Sequence, residues 1–170
     1  MKKILLLATT LLLGLGLAAQ ETGCHFVQTQ TRRGETVRME GILFFAEPDL
    51  LRLNYLDPKG DYLIIDETMV RSRFAGQARD INVEKDARVR VFRSALVNAY
   101  TGKLETLAKE FDAEVSEKVA GGEKTVTVTL LKPVGRGSVS RVEATYDTQG
   151  RATRIVLQQG RGSSEYLFDY

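Results

Sequence analysis

Apolar and polar residues alternate along most of this chain, and alternation with a period of two is the pattern of a β-strand with one buried face. The alternation is clearest where Leu51, Leu53 and Tyr55 are separated by Arg52 and Asn54. Similar short segments cover residues 37–45, 63–65, 111–115, 126–130, 142–146, 155–157 and 166–170. Turns rich in Gly, Pro and Asp separate them roughly every ten residues, which predicts an antiparallel meander folded into a sandwich or barrel.

One segment near the middle of the chain departs from this period. Between residues 87 and 100, Val89, Phe92 and Leu96 recur at helical spacing, which predicts an amphipathic helix. A second, shorter helical pattern follows over residues 104–111. We therefore predict a mainly β fold: a strongly curved antiparallel sheet, or half-open β-barrel, with one or two short helices covering its concave face. A helix simply packed on a sheet would produce the same pattern.

The N-terminus has the features of an export signal. Two lysines precede an apolar run over residues 4–17, which ends in the small residues Ala18 and Ala19. The run is shorter than the roughly 20 apolar residues that a membrane span requires. We predict a signal peptide over residues 1–19, followed by a single domain over residues 20–170 that resides in the periplasm of a Gram-negative-type bacterium.

Composition restricts the class of protein further. The chain has 170 residues, of which 43% are apolar and 27% are charged, so it is long enough to form one globular core. Its 24 basic residues become equal in number to its 22 acidic residues once the two lysines of the signal peptide are removed. Without a surplus of basic residues, a nucleic-acid partner is not expected.

The chain carries little of the equipment of an enzyme. It has one cysteine, Cys24, so an intramolecular disulfide is excluded. It has one histidine, His25, so the sequence offers neither a metal site built on several histidines nor a choice of histidines for a Ser-His-Asp triad. We therefore expect no catalytic residues, no metal and no cofactor. An exported hydrolase built on two carboxylates is the alternative, and it requires two acidic side chains that face one cleft.

Cys24 has two interpretations. A bacterial lipid-anchored protein has an apolar residue three positions before the acylated cysteine and small residues between them. Here Thr22 and Gly23 fit this pattern, but Glu21 occupies the apolar position. An inert, partly buried thiol is therefore favoured over a lipid anchor.

Several motifs between residues 26 and 66 follow one another in a particular order. They are an F-x-Q strand at residues 26–28, a Gly-Ile-Leu-Phe-Phe strand at residues 41–45, Pro48, an Arg-Leu-Asn-Tyr stretch at residues 52–55, Pro58, and an apolar strand at residues 62–66. This order resembles the periplasmic lipoprotein-carrier family, LolA with its relative LolB. The resemblance implies a half-open β-barrel whose helices cover a concave apolar surface that takes the acyl chains of lipoproteins.

The resemblance also implies a function and partners. A carrier of this kind acts as a chaperone that takes lipoproteins from an inner-membrane lipoprotein-release complex and delivers them to an acceptor at the outer membrane. The protein is expected to be a monomer. If Cys24 is acylated, the alternative is a lipid-anchored, LolB-like outer-membrane acceptor; another is an exported interaction module without a ligand.

The chain departs from the family in two places. Family members usually carry a long amphipathic helix before the first strand, whereas only residues 20–25 separate the predicted cleavage region from Phe26. The LolA branch also has a basic residue before the first proline that holds the lid closed, and here that residue is Glu47. We therefore interpret the chain as a divergent member.

The resemblance and the alternating pattern together predict the residues that contact an acyl chain. Each buried methylene contributes about 0.8 kcal/mol to the binding free energy, so the site needs a large apolar surface and no catalytic groups. The predicted ligand-binding residues are Leu43, Phe45, Leu51, Leu53, Tyr55, Leu63, Ile65, Val89, Phe92 and Leu96. We expect this surface to be open to water; the closed core of a β-sandwich would have the same pattern.

Overall fold

The computed structural model describes residues 22–170, and the predicted signal peptide over residues 1–19 lies outside the described residues. Eleven antiparallel strands form one curved, unclosed sheet, and two helices pack against it, which confirms the predicted fold class. The strands are β1 (Thr22–Arg32), β2 (Glu35–Ala46), β3 (Leu50–Asp57), β4 (Tyr62–Ile65), β5 (Met69–Phe74), β6 (Gln77–Asn82), β7 (Ala113–Ala120), β8 (Glu123–Leu130), β9 (Val139–Tyr146), β10 (Ala152–Gln159) and β11 (Gly162–Asp169). The helices are α1 (Ala87–Tyr100) and α2 (Leu104–Phe111), and a 3₁₀ turn at Val83–Lys85 precedes them.

The sheet consists of two meanders joined at its centre. The strands lie in the order β6-β5-β4-β3-β2-β1-β11-β10-β9-β8-β7. Strands that follow one another in the chain are therefore neighbours within each half, and the pairing of β1 with β11 joins the halves. In this central pair Gln28 lies opposite Tyr166. The edges of the described sheet are β6 and β7, and the helical segment connects them.

The alternation in the sequence places one set of side chains on the concave side of the sheet, called the inner face here. On β3, Leu51 and Leu53 are 0% exposed, whereas Arg52 between them is exposed on the outer face. Adjacent strands repeat the arrangement, because paired residues point to the same side. One hydrophobic core therefore extends along the inner face and includes the buried side of α1.

The two helices cover the inner face of the second meander. Helix α1 begins after Asp86, whose carboxylate accepts a hydrogen bond from the Arg88 backbone N–H, and it packs on β9 and β10. Near its C-terminal end, the Tyr146 hydroxyl donates a hydrogen bond of 2.7 Å to the Ala99 carbonyl. Helix α2 packs on β7 and β8. Among residues 22–170, no helix is long and apolar enough to cross a membrane.

The structure corrects the sequence-based elements in two places. The strand predicted over residues 111–115 begins at Ala113, because Phe111 completes α2 and Asp112, with a φ of 51°, ends the helix in the left-handed region. The hairpin of β5 and β6 has no counterpart in the prediction. Its sequence is mostly polar, and its inner-face residues apart from the buried Val70 are only partly covered.

Candidate functional site

The predicted ligand-binding residues fall into two groups by burial. Five of them, Leu43, Leu51, Leu53, Ile65 and Leu96, are at most 1% exposed and form core between the sheet and α1. Leu51 and Leu53 are thus enclosed in this closed arrangement, whereas the sequence analysis expected a surface open to water. The difference arises because the helical segment covers the inner face.

The second group lines an open cavity. Tyr55, Leu63, Val89 and Phe92 line a cavity of about 420 Å³, called the inner cavity here. Val70 on β5, Phe74 on β5 and Ile81 on β6 add to its apolar wall. The N-terminal half of α1 therefore faces a space, while the C-terminal half of the helix is packed.

Phe45 lies apart from the other predicted residues. It is half-buried and contacts Tyr100, with ring centroids 5.5 Å apart, beside a separate cavity of about 530 Å³. Phe45 pairs with Thr22 at the start of β1, whereas the inner cavity extends toward Arg32 at the end of that strand. The structure therefore brings Tyr55, Leu63, Val89 and Phe92 together and leaves Phe45 at the other end of the sheet.

Two further depressions continue from the inner cavity. The first, about 790 Å³, is lined by Gln30, Arg32 and residues of the turns at 136–137 and 159–163, and is called the mouth groove here. The second, about 500 Å³, is called the side groove and is lined by Val37, Met39 and residues of the β5–β6 hairpin. Gln30 and Arg32 line all three spaces, so the inner cavity opens through them to solvent.

A buried polar cluster crosses the wall of the inner cavity. The Tyr55 hydroxyl donates a hydrogen bond of 2.5 Å to Gln28 Oε1, and Gln28 Nε2 donates one of 3.2 Å to the Tyr166 hydroxyl oxygen. Burial raises the pKa of both Tyr55 and Tyr166, so both hydroxyls remain protonated at physiological pH. The Tyr166 hydroxyl donates to no side chain or backbone group among the described residues, which leaves one donor available to an occupant of the cavity.

Five arginines surround the opening. Arg32, Arg33, Arg79, Arg136 and Arg161, called the mouth arginines here, line the mouth groove or the inner cavity. None of them has a carboxylate within 4.0 Å in the part of the chain that the structure describes. The sequence analysis did not identify them, although the repeated Arg-Gly pairs at 33–34, 136–137 and 161–162 are a signal. Alternate turns of a meander lie at the same end of a sheet, and the three turns that carry these Arg-Gly pairs lie together at one end.

One ion pair holds α1 against the first meander. Arg93 Nη2 donates a hydrogen bond of 2.6 Å to Asp49 Oδ2, and Arg93 Nε donates one of 3.2 Å to the Asp66 carbonyl. Asp49 lies in the β2–β3 turn and Asp66 follows β4, so the helix is tied to two turns of the opposite half of the sheet. The turn carries Glu47 where the LolA branch has a basic residue. In the Arg93–Asp49 ion pair, the helix supplies the basic group and the turn supplies the acidic group.

Cys24 is 5% exposed on the inner face of β1, and its sulfur lies 3.9 Å from the Tyr100 hydroxyl. Burial raises the pKa of the thiol. Both observations favour an inert thiol over a reactive one. Within residues 22–170, no group of three or more His, Cys, Asp or Glu side chains is placed to hold a metal ion.

No protein-family profile matches the chain, and no curated protein sequence matches it. Solved structures with a similar architecture include a LolA superfamily protein from Nitrosomonas europaea, which is 8% identical, with 90% of this chain and 86% of that chain covered and a TM-score of 0.39. The lipoprotein LppX of Mycobacterium tuberculosis is 13% identical, with 88% and 86% covered and a TM-score of 0.36. A putative outer membrane lipoprotein-sorting protein domain from Vibrio parahaemolyticus is 7% identical, with 88% and 83% covered and a TM-score of 0.42.

The resemblance that the sequence shows to the LolA-like carriers thus recurs among solved structures as a likeness of fold. Every one of these TM-scores is below 0.5.

Proposed function

We propose that this protein is an exported, non-enzymatic carrier that shelters the acyl chains of a lipoprotein between its curved sheet and helix α1. The single observation that carries the proposal is the inner cavity, which has an apolar wall on one side and polar residues on the other, opens to solvent, and is bounded by half-buried residues of a helix. Its volume of about 420 Å³ lies within the range of about 300–1,000 Å³ that is typical of small-molecule sites.

The size of the cavity suits reversible binding. About ten methylenes transferred from water contribute roughly 8 kcal/mol before the entropy cost of association is subtracted, so the dissociation constant is weaker than about 1 μM. A carrier needs affinity of this order, because it must protect its cargo in transit and release it at the acceptor. The periplasm, an inner-membrane release complex as donor and an outer-membrane acceptor belong to the same proposal.

Helix α1 offers a way to enlarge the site. Leu51, Leu53 and Ile65 belong to the same buried core as the packed side of the helix, so an acyl chain can contact them only when the helix moves outward. The Arg93–Asp49 ion pair opposes that movement, and the hydrogen bond from Tyr146 to Ala99 holds the other end of the helix. The closed arrangement therefore contains both the lid and the apolar surface that it covers.

The proposal is tested by placing a charge in the cavity. Phe92 is half-buried at the cavity wall, so Phe92→Glu leaves its carboxylate access to water and the protein should fold. We expect binding of a fluorescent fatty-acyl probe to weaken at least tenfold, because the new charge faces the apolar chain. Leu56→Glu is the matched control, since Leu56 is 56% exposed on the strand that carries Tyr55.

Thermal unfolding of each variant is measured beside probe binding. A folded Phe92→Glu variant that binds the probe like the unaltered protein would contradict the proposal. Mass spectrometry of the exported protein tests the anchored alternative: we expect an unmodified N-terminus near residue 20, whereas an acylated Cys24 at the N-terminus would identify a lipid-anchored acceptor.

A further inference from the structure

We propose that the ligand is an amphiphile with an anionic head group, and that the mouth arginines bind this group while the acyl chain occupies the inner cavity. This inference rests on the acyl-chain cavity of the proposed function and differs from it in the cargo, which is a lipid with its own anionic head group instead of a lipoprotein. It commits to a lipid head group with a net negative charge as the occupant of the mouth groove.

Positive charge is concentrated around the opening of the inner cavity. The mouth groove is lined by four arginines, Arg32, Arg33, Arg136 and Arg161, and by no acidic residue. The inner cavity has one acidic residue in its wall, Asp86, whose carboxylate is held by Arg88 at 2.8 Å. Converging positive charges at the entrance of a cleft raise the local concentration of anions.

The guanidinium groups of the mouth arginines also lack internal partners. Eight of the ten other arginines of residues 22–170 pair with a carboxylate, among them Arg71, Arg93 and Arg154. A guanidinium group presents a planar set of donors that matches phosphate and carboxylate oxygens. The mouth arginines keep all these donors available at one end of the sheet.

The inner face becomes more polar along β1 from its start to its end. Phe26, Gln28, Gln30 and Arg32 alternate along β1 and point to the same side. At about 3.4 Å per residue, they extend over roughly 20 Å from an apolar end to a basic end. An amphiphile has the same order of groups: an apolar chain, a polar linkage and a charged head.

The polar cluster occupies the position of the linkage. Gln28 and Tyr166 lie between the apolar end and the mouth, and the Tyr166 hydroxyl retains a donor with no acceptor among the described residues. An ester carbonyl is an acceptor that would satisfy it. A plain hydrocarbon would leave this buried donor without an acceptor, at a cost in binding free energy.

The test compares two lipids with identical short acyl chains, phosphatidylglycerol and phosphatidylcholine, below the concentration at which they form micelles. Each displaces the fluorescent fatty-acyl probe from the mature chain. We expect phosphatidylglycerol to bind at least tenfold more tightly, and this preference to shrink as salt is raised, because salt screens exposed charges.

Variants assign the preference to the mouth. In the double variant Arg32→Gln/Arg136→Gln, phosphatidylglycerol should bind only as tightly as phosphatidylcholine, and phosphatidylcholine should bind as before. The matched control is Arg38→Gln/Arg52→Gln, which removes the same charge from exposed outer-face positions and should leave both affinities unchanged.

The possible outcomes separate the two proposals. Equal affinity for the two lipids in the unaltered protein, or no effect of the mouth variant, overturns the anionic head group and leaves the acyl-chain carrier intact. Glycerol phosphate that binds as tightly as phosphatidylglycerol identifies a site for a soluble anion and also overturns the inference. If neither lipid nor the acyl probe binds, the carrier function itself fails.

Discussion

Arg93 is the residue whose contacts fix the closed position of helix α1. Its side chain is 17% exposed, and it joins the helix to Asp49 and to the backbone of Asp66. We expect Arg93→Met, which keeps the aliphatic stem, to lower the free energy of unfolding by about 1–2 kcal/mol, because two charge-assisted hydrogen bonds are lost. Hydrogen exchange in the first half of α1 should become faster.

The control for this prediction is Arg90→Met on the same helix. Arg90 lies 3.9 Å from Glu110 in a pair whose side chains are 49% and 38% exposed, and such pairs contribute little. Urea denaturation and hydrogen exchange measure both variants. Equal effects of the two substitutions would show that Arg93 has no special role in closure.

Gly41 permits a close approach of β2 to its neighbours. A Cβ atom at this position would overlap the Asn54 carbonyl oxygen and lie 2.8 Å from Cε1 of Phe26. Gly41→Ala should therefore reduce the free energy of unfolding by about 1–3 kcal/mol through overpacking. In Gly23→Ala, the nearest atoms are ordinary contacts at 3.4 Å from the Phe44 ring, so a near-neutral result is expected. Chemical denaturation that ranks the two variants in reverse order would refute this.

Asp86 at the start of α1 carries a pH-dependent contact. The side-chain and backbone hydrogen bonds from Arg88 lower the pKa of Asp86 from 3.8 to about 2. Because the folded-state pKa is depressed, the contact favours the folded state above pH 3.8 and is lost as the pH falls through about 2. An NMR titration should show this low pKa, and Arg88→Gln should raise it toward the ordinary value. A wild-type pKa that Arg88→Gln leaves unchanged would contradict the assignment.

At the scale of elements, the two halves of α1 are expected to differ in dynamics. The N-terminal half carries Val89 and Phe92 at the cavity, whereas the C-terminal half is fixed by Tyr146. Segments with fewer buried contacts open more easily, so residues 87–93 should exchange faster than β9 and β10. A saturating acyl ligand should slow their exchange. Uniform protection without a ligand effect would mean that the helix is ordinary core packing.

The sequence predicted the elements whose two faces differ in polarity. In β3, Leu51 and Leu53 alternate with Arg52, and the strand was found on that basis. The β5–β6 hairpin was missed for a physical reason. Ser72 on β5 pairs with Arg79 on β6, and both residues line the inner cavity, so the inner face is polar at this wet edge. An alternation of apolar and polar residues identifies strands whose inner face is buried in a core. It does not identify strands whose inner face is exposed to solvent.

The candidate site was predictable only in part, for a related reason. Leu51 and Leu63 have the same apolar character, yet Leu51 is core and Leu63 lines the cavity. Residue type alone does not distinguish a closed core from an open pocket. The mouth arginines are brought together by turns that are far apart in the chain, so their convergence follows only from the strand order.

At the scale of the whole molecule, the sheet is open and its edge carries charge. Glu117 on the edge strand β7 pairs with Lys124 at 2.8 Å, and both side chains are close to half exposed. Charged residues on an edge strand oppose pairing with a second sheet. This supports the expectation, made from the sequence, that the protein is a monomer.

The central pairing of β1 with β11 bears on the order of folding. Within each meander, strands pair with their neighbours in the chain, whereas Gln28 and Tyr166 are 138 residues apart. Contacts between distant parts of a chain close long loops, so they form later than local hairpins. We therefore expect the two meanders to form first and to join last. Because Gln28 and Tyr166 also belong to the wall of the cavity, a chain that has not yet joined its halves has no complete cavity, and on the proposed function we expect cargo to load only onto molecules that have finished folding.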